Sequence, residues 1–414
     1  MIDLRKIAIW PAAGGAPAPV LQVKGVTPDA AGFSVTPDEG YDGLAQVDVA
    51  GDENLVADNI KKDVTIFGVT GTLSEGAGPV DPDAAVLFID YDGWPVYSFN
   101  RADFAALDAM PAVPAHDGLV AQGWNWTLED AKAFVAAGAT VTIGPLYTTA
   151  DNRTHIRIVI PSDAYDVAIK NNSSNVVTVD WGDGSAESSG SGLAHRYAKR
   201  GEYIVRVSGS DQAIMFYDNT TWSYKLTGLI REINFAGATV VDTSVYENHA
   251  CLEKVSFCNT ITTIGNKAFS GCRALMSVTL PEAATIGSSA FQSISAQYVS
   301  VSGSASGMFR YCQSIRRFEG RGITTTTDYM IQGAYMLSRI VLPSTTNYIS
   351  QNSWSVGYRF RTLVCLAATP PALNFGMIDG AVDIYVPDAS VAAYKAASNW
   401  NSFQNNIHPI SEFI

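Results

Sequence analysis

Ile230, Leu252, Leu275, Tyr298, Ile315, Leu337 and Phe360 are separated by 22, 23, 23, 17, 22 and 23 residues, and this recurrence constrains the chain more than any other feature. Three residues after each anchor stands a second apolar side chain: Ile233, Val255, Val278, Val301, Phe318, Ile340 and Leu363. Six residues before most anchors stands a bulky apolar residue: Tyr246, Phe269, Phe309, Ile331 and Trp354. Tyr298 has Gln292 at that place, beside Phe291. A unit of about 20–29 residues, made of a short strand and a compact return, cannot bury its apolar face alone and must stack on its neighbours as a solenoid. This half of the chain is therefore expected to present a surface, not to enclose a reaction.

A chain of 414 residues exceeds a single hydrophobic core, and multidomain organisation follows. It is 47% hydrophobic and only 16% charged, rich in β-branched and aromatic residues, so a mainly β fold is expected. The net charge of −13, with no basic run, argues against a nucleic-acid partner. No stretch approaches the roughly 18 apolar residues of a membrane span. The opening Met1-Ile2-Asp3-Leu4-Arg5-Lys6 lacks the apolar region of a secretory signal, so none is expected. The five cysteines (Cys251, Cys258, Cys272, Cys312, Cys365) are odd in number and have no Cys-x-x-Cys spacing. Cys272 and Cys312 share one phase, three residues before Leu275 and Ile315, which reads as small side chains stacked in a core, with a disulfide or metal role as the alternative.

Six segments are expected. Residues 1–24 form an apolar, Pro-punctuated arm, and 25–75 a small β module with short strands around Val47 and Ile66. Residues 85–150 form an α+β module. In it Val86–Tyr91 and Val96–Phe99 make a hairpin across Asp92-Gly93, and Thr127 caps a helix that ends at Gly138. A β-rich unit occupies 151–210, the solenoid 214–370, and an α/β cap 371–414, with Asp388 as N-cap of a helix from Ala389 to Ala397. An atypical last unit suits an array whose end must hide an apolar face.

The unit at 151–210 carries Val177-Thr178-Val179-Asp180-Trp181-Gly182-Asp183-Gly184, then His195-Arg196-Tyr197, then Gly201-Glu202-Tyr203-Ile204-Val205. This order resembles the polycystic-kidney-disease-type (PKD) domain, which implies an immunoglobulin-like sandwich with Trp181 plugging its core. Asp180 and Asp183 are too few for the 6–8 oxygens of a calcium site and read as turn residues. The solenoid phrases Ile264-Gly265-Asn266-Lys267-Ala268-Phe269 and Ile286-Gly287-Ser288-Ser289-Ala290-Phe291 resemble the leucine-rich repeats of bacterial surface antigens. Gly40-Tyr41-Asp42-Gly43-Leu44 and Asn59 to Thr72 resemble a module of bacteriophage structural proteins.

Chemistry is poorly served. His116, His155, His195, His249 and His408 are scattered without ligand spacing, and no nucleophile elbow, phosphate loop or dinucleotide fingerprint occurs. No enzyme activity, metal or cofactor is expected. The resemblances imply a bacteriophage virion protein, a tail or head fibre or spike. It would dock on other virion proteins by its N-terminus and offer the solenoid to a host-surface receptor. A bacterial cell-surface adhesin and a tail-associated polysaccharide hydrolase are the alternatives; oligomeric state is open. For binding, Arg316, Arg317 and Tyr329 stand out in an irregular stretch that also holds Glu319, Arg321, Tyr335, Tyr348, Trp354 and Tyr358. Guanidinium, hydroxyl and aromatic groups suit a surface glycan. Trp124 and Trp126 are a second candidate platform, with packing as the competing role. Deleting residues 1–24 is expected to leave a soluble protein that no longer incorporates into particles, as read by immunoblotting of purified particles.

Overall fold

The computed structural model describes residue 22 and residues 33–42, 47–49, 65–66, 69–70, 80–170, 175–209, 212–219, 225–282, 284–350, 352–354, 359–374 and 382–413. The chain divides into two compact units, 1–78 and 79–414. In the first, Phe33–Val35 pairs antiparallel with Val47–Val49, and Thr65–Ile66 with Val69–Thr70. The expected arm, apart from Gln22, lies outside the described residues, as does most of the 59–72 phrase.

The second unit opens with the α+β module. Val86–Ile89 lies between Pro95–Phe99, antiparallel, and Val141–Ile143, parallel. The hairpin turns at Gly93, whose φ of +90° only glycine adopts freely. Thr127 caps the helix Leu128–Ala136, its hydroxyl accepting from Asp130 N at 3.1 Å. A second short helix, Arg101–Ala105, was not signalled by periodicity; Asn100 caps it by accepting from Asp103 N at 2.8 Å. Val86, Phe88, Phe104, Trp126, Val135, Val141 and Ile143 form the module's own core.

Two sheets then face each other. One joins Thr154–Ile160, Gly201–Gly209, Val177–Asp180 and Ser188–Gly190; the other joins Tyr165–Lys170, Gly192–Tyr197 and Met215–Tyr217. Along Thr154–Ile160 every second residue is buried, the period-two pattern of a strand with one face on a core. Trp181 is fully buried between the sheets, stacked on His195 at 4.6 Å, and its carbonyl accepts from the Tyr197 hydroxyl at 2.9 Å. The sandwich does not end at a linker. The free edge of Thr154–Ile160 pairs with Ile230–Asn234, the first solenoid strand, which pairs parallel with Lys254–Ser256. One continuous apolar core runs through both, so the boundary expected near 210–214 divides the sequence but not the packing.

The solenoid makes about seven turns. Its longer strands form a parallel sheet, Tyr298–Val301, Arg317–Gly320, Arg339–Leu342 and Thr362–Cys365, which Asp383–Val386 and Ile407–Pro409 extend. A second side carries two-residue strands such as Thr263–Ile264 and Thr285–Ile286. Among the described residues the third side has no strands. There the backbone enters the left-handed region at two positions four residues apart in successive turns: Ser244 and Asn248, Lys267 and Gly271, Ser289 and Ser293, Gly307 and Tyr311, Tyr329 and Gly333. Amides between them bond to the next turn, as Phe269 N to Ala290 O at 2.8 Å and Phe309 N to Met330 O at 2.7 Å. These bonds hold a conformation that non-glycine residues adopt at a cost of about 1–2 kcal/mol each. The glycine of the Ile-Gly phrase has another cause. A Cβ on Gly265 would lie 2.5 Å from Thr243 N, and one on Gly287 equally close to Asn266 N, so adjacent turns touch backbone to backbone.

Inward, Tyr246, Phe269, Phe291 and Phe309 stack ring on ring at 5.4–5.5 Å. Phe291, not Gln292, thus fills the bulky position. Tyr298 also departs from its expected role. Val299 is in register with Phe318, and Arg316 N donates to Gln297 O, so the inward anchor of that turn is Ala296. The true intervals around it are 21 and 19 residues, obtained as 296−275 and 315−296. Tyr298 faces the other way. Asp388 does not cap the last helix, which forms as Asp388–Ser390 in 3-10 geometry followed by Val391–Ala396; its carboxylate accepts from Ser411 N at 3.1 Å. Four of the cysteines are buried and all five are free; Cys272 and Cys312 donate to carbonyls of the preceding turn, Tyr246 O and Phe291 O, and burial pushes both thiols up to about 12. Replacing Phe291 by Ala is expected to cost about 3–5 kcal/mol in chemical denaturation, and Phe291→Leu clearly less, because the ring's loss opens a cavity in the stack.

Candidate functional site

In a parallel strand alternate side chains face opposite sides, so the residues between the inward ones line an outer row. Across successive turns this row reads Tyr298, Arg317, Arg339 and then Glu319, Val341, Val364, Tyr385. On an uncovered solenoid these groups would meet solvent. Here the α+β module lies on them. Tyr298 packs with Leu87 and Ile89, and Ala139 with Val341, Val364 and Leu366. Gly144 lets the module approach: a Cβ there would fall 2.0 Å from Thr279 Oγ1.

The polar centre of this contact is an ion pair. Arg317 is 2% exposed and Glu319 fully buried; Arg317 Nη2 and Nε donate to Glu319 Oε1 at 2.8 and 3.1 Å. Glu319 Oε2 accepts from Thr142 N at 2.9 Å, and Arg317 Nη1 donates to Ala84 O at 2.9 Å. Both charges thus find partners on the module's backbone, as a buried pair requires. Nearby, Arg321 donates to Asn125 O at 2.8 Å and lies 4.3 Å from the Trp126 ring, and burial lowers its pKa. Burial, reinforced by the Arg317 charge, pushes Arg339 down to about 10. Burial raises the Tyr298 hydroxyl against the pull of Arg316 and Arg317. At the far end Arg101 donates to Val135 O, Gly138 O and Ala139 O, closing the C-terminus of the helix Leu128–Ala136.

The residues of the two expected binding platforms are dispersed. Arg317 and Trp126 belong to the interface just described, and at 2% and 4% exposure they are withdrawn from the binding set. Arg317 donates to the module's backbone, and the Trp126 ring packs on Phe134 and beneath Arg321, contacts invisible to a repeat-based reading. Trp124 is half-buried, edge-on to Phe88 at 4.8 Å, with Nε1 donating to Pro111 O at 2.8 Å, so it packs. Trp354 is buried in the inward stack and Tyr358 lies outside the described residues. Arg316 remains exposed, beside the module's edge. Tyr329 is half-buried on the third, turn-bearing side.

That turn side carries a group the sequence reading missed. The Arg310 guanidinium lies 4.6 Å from the Tyr311 ring and 4.8 Å from the Tyr329 ring, while its Nε donates to Gln332 Oε1 at 2.8 Å. Tyr311 is 43% and Tyr335 55% exposed. A hollow of about 360 Å³ lies alongside, lined by Arg273, Ser293, Ser295, Tyr311, Gln313 and Ser314. The signal was present: Arg310 and Gln332 stand 22 residues apart, one turn of the repeat, and so stack on one side. In the sandwich, Asp180 accepts from Gly182 N and Arg206, and Asp183 from Ser185 N and His195. The Asp183 carboxyl titrates low: burial alone would raise it, but those hydrogen bonds outweigh it.

Glu319→Ala is expected to destabilise the protein by about 3–5 kcal/mol, because Arg317 stays buried and uncompensated. Combining Arg317→Met with Glu319→Leu is expected to recover at least half of that loss in a double-mutant cycle read by denaturant unfolding.

Residues 239–357 match the BspA-type leucine-rich repeat region in six copies. Among solved structures, a leucine-rich repeat protein from Bacteroides ovatus is similar over 36% of this chain at 15% identity and a TM-score of 0.25. The match spans 53% of that protein, about half its length. No curated protein matches the chain. Among the described residues no helix is long and apolar enough to cross a membrane. Residues 239–357 of this chain thus resemble leucine-rich repeats of the BspA type, set in a mainly β fold.

Proposed function

We propose that the protein is a non-enzymatic recognition protein, a fibre or spike-like component of a bacteriophage virion. Its N-terminal region docks on other virion proteins, and the turn side of its solenoid holds a host-surface receptor. One observation carries the binding part of this reading. The strand side is occupied by the chain's own α+β module, while the turn side holds the half-buried Arg310 between Tyr311 and Tyr329, with exposed Tyr335 one turn further. A guanidinium held between rings, beside a polar hollow, offers stacking faces and hydrogen-bond donors to a sugar. The phage origin draws on the resemblance of residues 40–44 and 59–72 to phage structural modules, with the sandwich as a PKD-type spacer. The non-enzymatic reading draws on how the histidines are used: His116, His155 and His195 each face an aspartate that also organises a neighbouring turn or strand end.

A bacterial cell-surface adhesin is the second reading, favoured by the BspA-type repeats themselves. Antibodies against the chain separate the two: they label purified phage particles in the first case and bacterial envelopes in the second. For the binding side, fluorescent full-length protein is expected to adsorb to intact host cells, and Arg310→Ala with Tyr311→Ala to weaken adsorption at least about tenfold, roughly the loss of 1.4 kcal/mol of binding. Undiminished adsorption by a folded double variant overturns the assignment to the turn side, and oligosaccharides released from host capsule overturn the non-enzymatic reading.

A further inference from the structure

At the edge of the module a cleft of about 390 Å³ opens between its first residues and the strand entries of the solenoid. Arg316, Arg317, Arg359 and Arg361 line it together with Tyr298 and Ser338, and Asp83 is the single carboxylate among the lining residues. The whole chain has 40 acidic against 27 basic residues, so four arginines around one cleft run against its composition.

Repeat geometry produces the cluster. Arg316 follows the inward anchor Ile315, and Arg361 follows Phe360, two turns on. Ser338 is the matching residue of the intervening turn, since Ser338 N donates to Arg316 O at 2.8 Å and Arg361 N to Ser338 O at 3.1 Å. Adjacent strands lie about 4.8 Å apart, which puts the two arginine backbones about 10 Å apart with a small side chain between them. The Ser338 hydroxyl is turned down onto Arg316 O at 2.9 Å, leaving the gap open.

Arg317 has structural work on Ala84 O and Glu319. The others do not. Arg316, Arg359 and Arg361 are exposed, and among the described residues none of the three forms an ion pair; Arg361 donates only to the neighbouring carbonyl, Phe360 O, at 3.0 Å. Like charges gathered around a single carboxylate, Asp83, repel, and an anion between them relieves the repulsion. Guanidinium groups bind carboxylate and sulfate oxygens through paired N–H donors, and the cleft's volume falls within the roughly 300–1,000 Å³ of small-ligand sites.

We propose that this cleft binds an acidic sugar, its carboxylate or sulfate held between Arg316 and Arg361 with Arg359 as a third donor. The choice of a sugar as carrier rests on the surface-recognition reading above; the choice of an oxyanion rests on the cleft alone. The guanidinium groups of such a site select acidic from neutral glycans, and the field of a protein of net charge −13 repels anions that do not fit it.

The test is calorimetric titration of the full-length protein with a galacturonic acid trisaccharide, a sulfated heparin disaccharide, the neutral maltotriose and inorganic sulfate. At least one acidic probe is expected to bind, about tenfold or more tighter than maltotriose and than inorganic sulfate, and more weakly as salt rises. The tighter acidic probe identifies the anion. Arg316→Gln combined with Arg361→Gln is expected to lower that affinity at least about tenfold, and Arg316→Lys to lower it partially, because a point charge replaces the fork. Both positions are exposed, so unchanged circular dichroism and melting are expected for the variants. Three results overturn the proposal: neither acidic probe binding better than maltotriose, inorganic sulfate binding as tightly as the sugar, or the double variant retaining full affinity. Cell adsorption by the same double variant separates the two readings. If sugar binding is unaffected by the double change while adsorption persists, the cleft is wrong and surface recognition stands. If the protein binds the acidic sugar through the arginines but never adsorbs to cells, the cleft stands and the recognition role falls.

Discussion

Each coil of about 22 residues has too little interior to bury its apolar side chains by itself, and everything else in the 79–414 unit follows from that constraint. The inward residues of one turn are covered by those of the next, so the column of rings from Tyr246 to Phe309 is a shared core and not a set of local ones. Such a column has two ends, and both are closed. On one side the first solenoid strand completes the sandwich sheet through Thr154–Ile160. On the other, Tyr394 and Trp400 are fully buried and donate to Ala367 O and Pro371 O. The sandwich is therefore a structural terminus of the array as well as a separate layer.

A parallel sheet also has an outer face, and here the fold makes its least expected choice. The face that could have carried a ligand is packed against the module at 80–150. The contact uses apolar rows at its ends and the Arg317–Glu319 pair at its middle. A buried ion pair adds little net stability, yet it penalises any docking that leaves either charge alone, and so favours one register of module on solenoid. Covering the strand face leaves the turn side, and the cleft where the covering stops, as the open surfaces. The two surfaces differ in chemistry: aromatic rings around one guanidinium on the first, a group of guanidinium ions on the second.

Local pattern carried most of the architecture. Most inward residues of the repeats and the module helix after Thr127 were legible because each depends on neighbours close in sequence or on a repeated spacing; the burial of Trp181 was implied only by a resemblance. The phase at Tyr298 was misread for a physical reason. Ala296 is small enough to hold the inward position without looking like an anchor, while Tyr298 is large and apolar; the strand begins only at Tyr298, so its alternation of faces does not reach back to Ala296. Asp388 followed the composition of a helix cap, but the backbone there enters a 3-10 turn and the amide it meets is that of Ser411.

The sequence by itself determined the solenoid and most of its inward residues, because apolar periodicity and turn chemistry are local properties of the chain, and it set the acidic balance. Tertiary structure alone decided which polar residues face solvent. Arg316 and Arg317 are neighbours in sequence, yet one is exposed in a cleft and the other 2% exposed against Ala84 O, more than 230 residues away. Trp126 became the seat of Arg321, and Arg310 joined Tyr329, only once turns 22 residues apart were stacked and the module was laid across them. A charged or aromatic side chain has the same composition on a surface and in an interface; what separates the two is the partner that long-range packing brings to it.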